Sequence, residues 1–89
     1  MNNIYIKSEK SRQVLNNLKN ESGYITPNDY ITKYDTSITI QSSRAKLSST
    51  YIKDYITKNK VILNDKTITV YSLKDEFKDT NFTKEEVKA

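Results

Sequence analysis

The spacing of apolar residues predicts a first helix near the start of the chain. Its apolar face is formed by residues three and four positions apart: Val14, Leu15 and Leu18. Ser8 or Ser11 can cap this helix, because a serine hydroxyl accepts a hydrogen bond from an unpaired backbone N–H at a helix start. Gly23 follows as a stop signal. We therefore expect helix one to end at about Asn20.

A second helix is predicted by the start signal at Thr26. Thr26 suits the capping position, Pro27 the first helical position and Asp29 the acid of a capping box. Three aromatic or aliphatic residues follow with helical spacing: Tyr30, Ile31 and Tyr34. The predicted helix therefore runs from about Pro27 to Lys33.

The middle of the chain contains an ambiguous stretch and then a regular one. Residues 37–40 alternate polar and apolar, which is typical of a short strand, although they could also form helical turns against the core. Beyond them, apolar residues recur at intervals of three and four: Leu47, Tyr51, Ile52, Tyr55 and Ile56. This spacing predicts an amphipathic helix from Arg44 to Asn59, with Tyr51 and Tyr55 in the core and a polar, cationic outer face.

A β-hairpin is predicted over residues 61–71. Two alternating, β-branched runs, 61–63 and 67–71, flank the turn-forming pair Asn64-Asp65, and Lys66 makes the tip basic. After the hairpin, Leu73 and Phe77 are spaced for one helical turn, and Thr83 with Glu86 could cap another. We expect a domain over residues 1–73, followed by a charged C-terminal helix or flexible tail over 74–89.

Composition limits the chain to one small core. With 89 residues, 35% of them hydrophobic, a single domain is expected, and its seven Tyr and two Phe add buried area. Because this core leaves little stability to spare, we expect a homodimer. The absence of cysteine requires no oxidising compartment, and neither a signal peptide nor a membrane-spanning stretch is evident, so a cytoplasmic location is expected.

Several kinds of chemistry are disfavoured by missing residue types. The chain has no histidine, the usual general acid–base group near pH 7, and one glycine, which rules out glycine-rich phosphate-binding loops. The spacing of Asp75, Glu76 and Asp79 matches no calcium loop. We therefore expect no catalysis, metal, cofactor or small-molecule substrate.

Positive charge is concentrated in one segment of a chain with a net charge of +4. The span from Arg44 to Lys66 holds six cations, at positions 44, 46, 53, 58, 60 and 66, against Asp54 and Asp65. Such a concentration suits binding to a phosphate backbone, although an ordinary solvated surface rich in lysine would give the same charge pattern.

The predicted order of short helices, a helix with a polar outer face and a hairpin is that of a winged helix-turn-helix. The run from Leu47 to Ile62 resembles the turn and recognition helix of bacterial winged-helix regulators, in which a Ser-x-x-Thr entry leads into a helix and then an apolar strand. The resemblance implies an α+β winged helix-turn-helix domain of about three helices and a C-terminal hairpin wing. It implies that Ser48 caps the recognition helix, that Ser49, Thr50 and Lys53 face a DNA groove, and that Ile52, Tyr55 and Ile56 pack inward.

The DNA-binding residues expected from this alignment lie on the predicted helix and at the hairpin tip: Arg44, Lys46, Ser48, Ser49, Thr50, Lys53, Thr57 and Lys66. A competing register takes residues 26–31 as the helix before the turn, as in small phage and mobile-element proteins. It moves the reading helix to about residues 37–44. The fold is the same in both registers, whereas the contacting residues differ.

The expected function is sequence-specific binding of double-stranded DNA by a protein of a phage, plasmid or bacterium. A transcriptional repressor, an excisionase-like factor and a plasmid transfer or partition accessory protein all fit a chain of this size. The alternative is a small protein that inhibits a host complex, as anti-CRISPR proteins do. RNA binding ranks third, because neither an RNP-like aromatic strand nor a GxxG loop is present.

Overall fold

The computed structural model describes residues 3–84, which form an α+β domain. In chain order its elements are β1 (Asn3–Tyr5), α1 (Glu9–Lys19), α2 (Pro27–Tyr34), α3 (Ile40–Leu47), β2 (Ile56–Leu63), β3 (Lys66–Leu73), a 3-10 turn (Asp75–Phe77) and β4 (Asn81–Thr83). The α+β class is confirmed. None of the helices within residues 3–84 is long and apolar enough to cross a membrane.

The first two helices begin where their capping signals predict. The Ser8 hydroxyl accepts a hydrogen bond from the backbone N–H of Ser11 at the start of α1. At the start of α2 the capping box is complete, because Thr26 Oγ1 accepts from the Asp29 N–H at 3.0 Å and Asp29 Oδ2 accepts from the Thr26 N–H at 3.1 Å. These local bonds satisfy backbone donors that have no partner inside the helix.

The third helix is shorter and earlier than predicted. It spans Ile40–Leu47, with Thr39 as its N-cap, so the strand suggested for residues 37–40 is absent and the helix expected from Arg44 to Asn59 is wrong. Ser48 ends α3 as its C-cap instead of starting a helix. Serine and threonine hydroxyls at 48–50 compete for backbone hydrogen bonds, which favours a helix end, and residues 49–55 form turns.

The hairpin is confirmed, and its strands are longer than predicted. Asn64 and Asp65 form the turn with φ of 52° and 64°, values that a two-residue type I′ turn requires. The turn sets the register of eight antiparallel pairs from Leu63↔Lys66 back to Ile56↔Leu73. Residues 56–59, assigned to a helix from their spacing, therefore belong to β2 because they pair across the strands.

The core lies between the helices and the base of the hairpin. Its fully buried apolar side chains, at 2% exposure or less, are Val14, Leu15, Leu18, Tyr30, Leu47, Ile52 and Leu73. The inward positions of Ile52 and Ile56 are confirmed. Tyr51 is 74% exposed, so its core assignment is wrong, whereas Tyr55 is half-buried and packs edge-on against Phe77 and Phe82.

The segment after the hairpin returns to the core. β4 pairs in parallel with β1, from Asn3↔Asn81 to Tyr5↔Thr83, and Phe82 is 3% exposed. This differs from the expected helix or flexible tail, because Phe82 offers an apolar side chain that the small core can bury. The suggested cap at Glu86 lies outside the described residues.

Candidate functional site

Two contacts hold α3 against α2. Ser43, which is fully buried, donates a 2.8 Å hydrogen bond from Oγ to the carbonyl oxygen of Pro27. Asp35, directly after α2, accepts hydrogen bonds from Lys46 Nζ at 3.0 Å and from Ser37 Oγ at 2.9 Å. The small side chain of Ser43 lets the helices approach closely, and the Asp35–Lys46 ion pair bridges the turn between them. One flank of α3 is therefore anchored.

Tyr71 fixes the hairpin relative to α3. Its backbone exchanges two hydrogen bonds with Ile25, at 2.8 and 2.9 Å, which ties β3 to the segment between α1 and α2. Its hydroxyl lies 3.1 Å from Ser48 Oγ at the end of α3. The ammonium of Lys58 lies 6.0 Å from the centre of the Tyr71 ring, within the range of a cation–π contact. The hairpin base and α3 are thus connected through one buried side chain.

A basic cleft lies between α3, the start of α2 and the hairpin. It consists of two concavities that adjoin at Thr69 and Tyr71. Its polar and charged lining side chains are Thr26, Asn28, Arg44, Ser48, Lys58, Asn59, Lys60, Lys66, Thr67, Thr69 and Tyr71. Four of these are cations and none is a carboxylate. The cleft therefore suits a ligand with spaced negative charges.

Several of the cations that the structure describes form ion pairs or hydrogen bonds that stabilise the fold, and the cations of the basic cleft are not among them. Within residues 3–84 the ion pairs join Lys33 to Glu21 and Lys46 to Asp35. Three further cations donate to backbone carbonyls: Arg12 to Ile6, Lys19 to Thr80 and Lys78 to Glu21. By contrast, in this described part of the chain Arg44, Lys58, Lys60 and Lys66 form no ion pair. Their charge is available to a partner.

The clearest pKa shifts occur away from the cleft, in the junction between α1 and α2. Hydrogen bonds from Lys33 and Tyr34 lower the pKa of Glu21. In turn, the hydrogen bond and the negative charge of Glu21 raise the pKa of Lys33. Burial, with the hydrogen bond to Glu21, raises the pKa of Tyr34 to about 12. Hydrogen bonds from Lys46 and Ser37 lower the pKa of Asp35. The shifts favour the ionised forms of Glu21, Lys33 and Asp35 and the neutral form of Tyr34. These are the forms that make the hydrogen bonds described.

Three of the predicted DNA-binding residues come together in the basic cleft. Arg44 lies exposed on α3, Ser48 ends the same helix, and Lys66 follows the hairpin turn. Arg44 and Lys66, 22 positions apart in sequence, line the same concavity. The pairing of a helix residue with a hairpin residue was expected, although the helix occupies a different segment.

The other five predicted residues lie elsewhere. Lys46 is on the opposite flank of α3, paired with Asp35, and Ser49 Oγ accepts from the N–H of Tyr51 within the following turn. Thr50 and Lys53 are exposed in the turns of residues 49–55. Thr57 borders a separate concavity with Gly23 and Ser72. These residues are dispersed because residues 48–57 are not helical.

Lys58 and Lys60 belong to the cleft and were not among the predicted contacts. Their signal was the alternation Ile56-Thr57-Lys58-Asn59-Lys60 leading into the hairpin, which places both lysines on one strand face. Counting back from the Asn64-Asp65 turn pairs Lys58 with Tyr71 and Lys60 with Thr69. The hairpin, predicted from residue 61 onward, began too late to include them.

No protein family, curated protein or solved structure matches the chain. Within the part of the chain that the structure describes, no group of three or more acidic side chains is placed to hold a metal ion. The interpretation of the basic cleft therefore rests on its own geometry and charge.

Proposed function

We propose that the protein binds double-stranded DNA sequence-specifically as a winged helix-turn-helix domain. The observation that carries this proposal is the basic cleft, in which α3 and the hairpin present four cations that form no ion pair within residues 3–84, and whose described lining includes no carboxylate. Phosphate contacts supply most of the affinity of such proteins, and base-edge contacts supply the specificity. We assign the phosphate contacts to the hairpin lysines and the base-edge contacts to α3.

Helix α3 is the reading helix of this proposal, as in the competing register of the sequence. The residues facing away from its buried side are small or polar: Gln41, Ser42, Ala45 and Ser48. An α-helix with short side chains fits the major groove, which is about 12 Å wide. Gln41 can pair with adenine and Arg44 with guanine, because these side chains offer matching bidentate hydrogen bonds.

The hairpin forms the wing that follows the neighbouring phosphates. Lys58 and Lys60 share a strand face two residues apart, which separates them by roughly 6.7 Å. Successive phosphates of a DNA strand rise by about 3.4 Å along the helix axis, so flexible lysine side chains at this separation can reach neighbouring phosphates. Both lysines can therefore contact phosphates of one strand while α3 lies in the groove.

The test is fluorescence-anisotropy binding to a pool of random duplexes at low and near-physiological salt, with sequencing of the retained DNA. Lys58→Gln/Lys60→Gln is expected to weaken binding about tenfold or more and to reduce the slope of log K against log salt by about 2, whatever the sequence. Arg44→Ala is expected to relax the preference at one base pair, at a cost of about 1–3 kcal/mol.

A matched control removes two positive charges outside the cleft. Lys74→Gln/Lys84→Gln changes one lysine beside Thr57, across the hairpin from the cleft, and one after β4. This variant should bind nearly as well as the unchanged protein. An equal loss in both double variants would show that net charge alone matters and would contradict specific use of the cleft.

The retained sequences also test stoichiometry and the rival function. A motif with two-fold repeats about 10–10.5 base pairs apart would support the expected homodimer, and a single unrepeated half-site would contradict it. Absence of duplex binding even at low salt would refute the proposal. Binding only to a host protein complex would then favour the inhibitor function.

A further inference from the structure

The hairpin tip, residues 61–68, carries an exposed apolar run. Ile62 is 79% exposed, Leu63 51% and Val61 38%, whereas most other large apolar side chains are buried in the core. The register places Ile62 on the same strand face as Lys58 and Lys60. The face that carries two cations of the basic cleft therefore ends in a large apolar side chain.

The fold does not require an apolar side chain at position 62. Ile62 pairs with Thr67, an equally β-branched but polar residue that is also exposed. Threonine favours strands much as isoleucine does, so strand propensity alone would be met by either residue. Among the described residues, Ile62 is not part of the buried apolar cluster, so its side chain does not stabilise the core.

Size and charge argue against a second copy of the chain as the occupant of this tip. Three exposed side chains fall well short of the roughly 800 Å² that each partner contributes to a stable protein interface. The hairpin also carries Lys58, Lys60 and Lys66 against Asp65, so two hairpins would repel each other. The same positive charge attracts a nucleic acid.

We infer that Ile62 is a wedge that inserts between base pairs from the minor-groove side and bends the bound duplex. This inference rests on the proposed DNA binding and adds the deformation of the DNA. Minor-groove architectural proteins insert isoleucine, leucine or similar side chains into a base step, place lysine or arginine in the same groove, and kink the duplex toward the major groove. Here Lys60 precedes Ile62 by two residues on the same strand face.

The regular strand pairing of the tip supports this role. A wedge must keep its direction while it unstacks bases, and the two-residue turn at Asn64-Asp65 joins strands paired up to Leu63↔Lys66. The ribbon is eight residues long on each side, about 26 Å, so its tip lies well beyond the buried base at Leu73. It can therefore reach DNA beside the region that α3 occupies.

The experiment measures DNA bending by energy transfer between dyes at the two ends of a duplex carrying the retained motif. The unchanged protein is expected to bend it by about 20–90°. Ile62→Thr, which keeps the β-branched shape, is expected to abolish most of the bend and to weaken binding about tenfold. The matched control Val61→Thr alters the opposite strand face and should keep both bend and affinity.

The outcomes separate this inference from the proposed function. An unbent duplex bound tightly by the unchanged protein, or an unchanged bend with Ile62→Thr, would overturn the wedge and leave DNA binding intact. Absence of any duplex binding would overturn both. Sedimentation of the free protein provides a further check: a dimer that Ile62→Thr converts to a monomer would assign Ile62 to contact between copies and overturn the wedge.

Discussion

The helical body and the hairpin tip use similar residues for opposite purposes. In the body, Lys46 is paired with Asp35 and Leu73 is 1% exposed. At the tip, in residues 61–68, Lys66 forms no ion pair within residues 3–84 and Leu63 is 51% exposed. At these positions the body pairs a charge and buries an apolar side chain, whereas the tip presents both to solvent. The two ends of the hairpin therefore differ: Leu73 at its base is packed in the core, whereas Leu63 and Lys66 at its tip are exposed.

The largest expected contrast comes from truncating the same residue type at the two ends. Leu73→Ala removes a buried side chain and should destabilise the protein by about 2–5 kcal/mol, because it leaves a cavity. Leu63→Ala should change stability by less than about 0.5 kcal/mol. Urea unfolding of both variants measures the difference. Equal losses would show that the tip contributes to the core and would remove the distinction.

A smaller effect is expected at the contact between α2 and α3. Ser43→Ala removes the buried hydrogen bond to the Pro27 carbonyl, at a cost of about 0.5–1.5 kcal/mol. The neighbouring Ser42 is exposed, so Ser42→Ala should cost little. Urea denaturation of the two variants compares them. If Ser43→Ala is as stable as the unchanged protein, the contact does not hold the helices together.

The hairpin turn offers a gain in stability instead of a loss. Asp65 has a φ of 64°, which glycine adopts without steric cost, so Asp65→Gly should stabilise the protein by about 0.5 kcal/mol. Asp65→Ala removes the same carboxylate but keeps the strained conformation and should destabilise it. Thermal unfolding distinguishes them. A gain in both variants would attribute the effect to charge and not to the backbone.

The smallest effect is a pH dependence in the body. Because hydrogen bonds lower the pKa of Glu21 from its ordinary value of 4.5, its ionised form stabilises the folded state above that pH. This stabilisation should fall away as the pH drops below 4.5 and through the lower pKa of the folded protein. The melting temperature of Glu21→Gln should therefore lie below that of the unchanged protein at neutral pH and approach it in acid. A constant difference across this range would exclude the ionised carboxylate as the cause.

Local signals predicted the elements that depend on a few neighbouring residues. The Ser8 cap, the Thr26–Asp29 capping box and the Asn64-Asp65 turn each act within four residues, and all three are observed. The error between Arg44 and Asn59 has a different origin. Apolar spacing of three and four also fits a helix end, a turn and an alternating strand, and the decision depends on pairing with β3, far along the chain.

The candidate site was predictable to the same extent. Arg44, Ser48 and Lys66 were identified from residue type, because exposed cations and hydroxyls near a hairpin suit DNA whichever register is correct. Lys58 and Lys60 were missed because their direction depends on strand register and not on local composition. The order of α2 and α3 follows the competing register, in which residues 26–31 precede the reading helix.

The parallel pairing of β1 with β4 has a consequence for synthesis on the ribosome. Residues 3–5 are made well before their strand partners at 81–83, which follow 78 positions later. The buried ring of Phe82 also arrives only then. Contacts so distant in sequence slow folding, because a long loop must close before they form. We expect the nascent chain to form its helices and hairpin first and to complete its core only after β4 has left the ribosome.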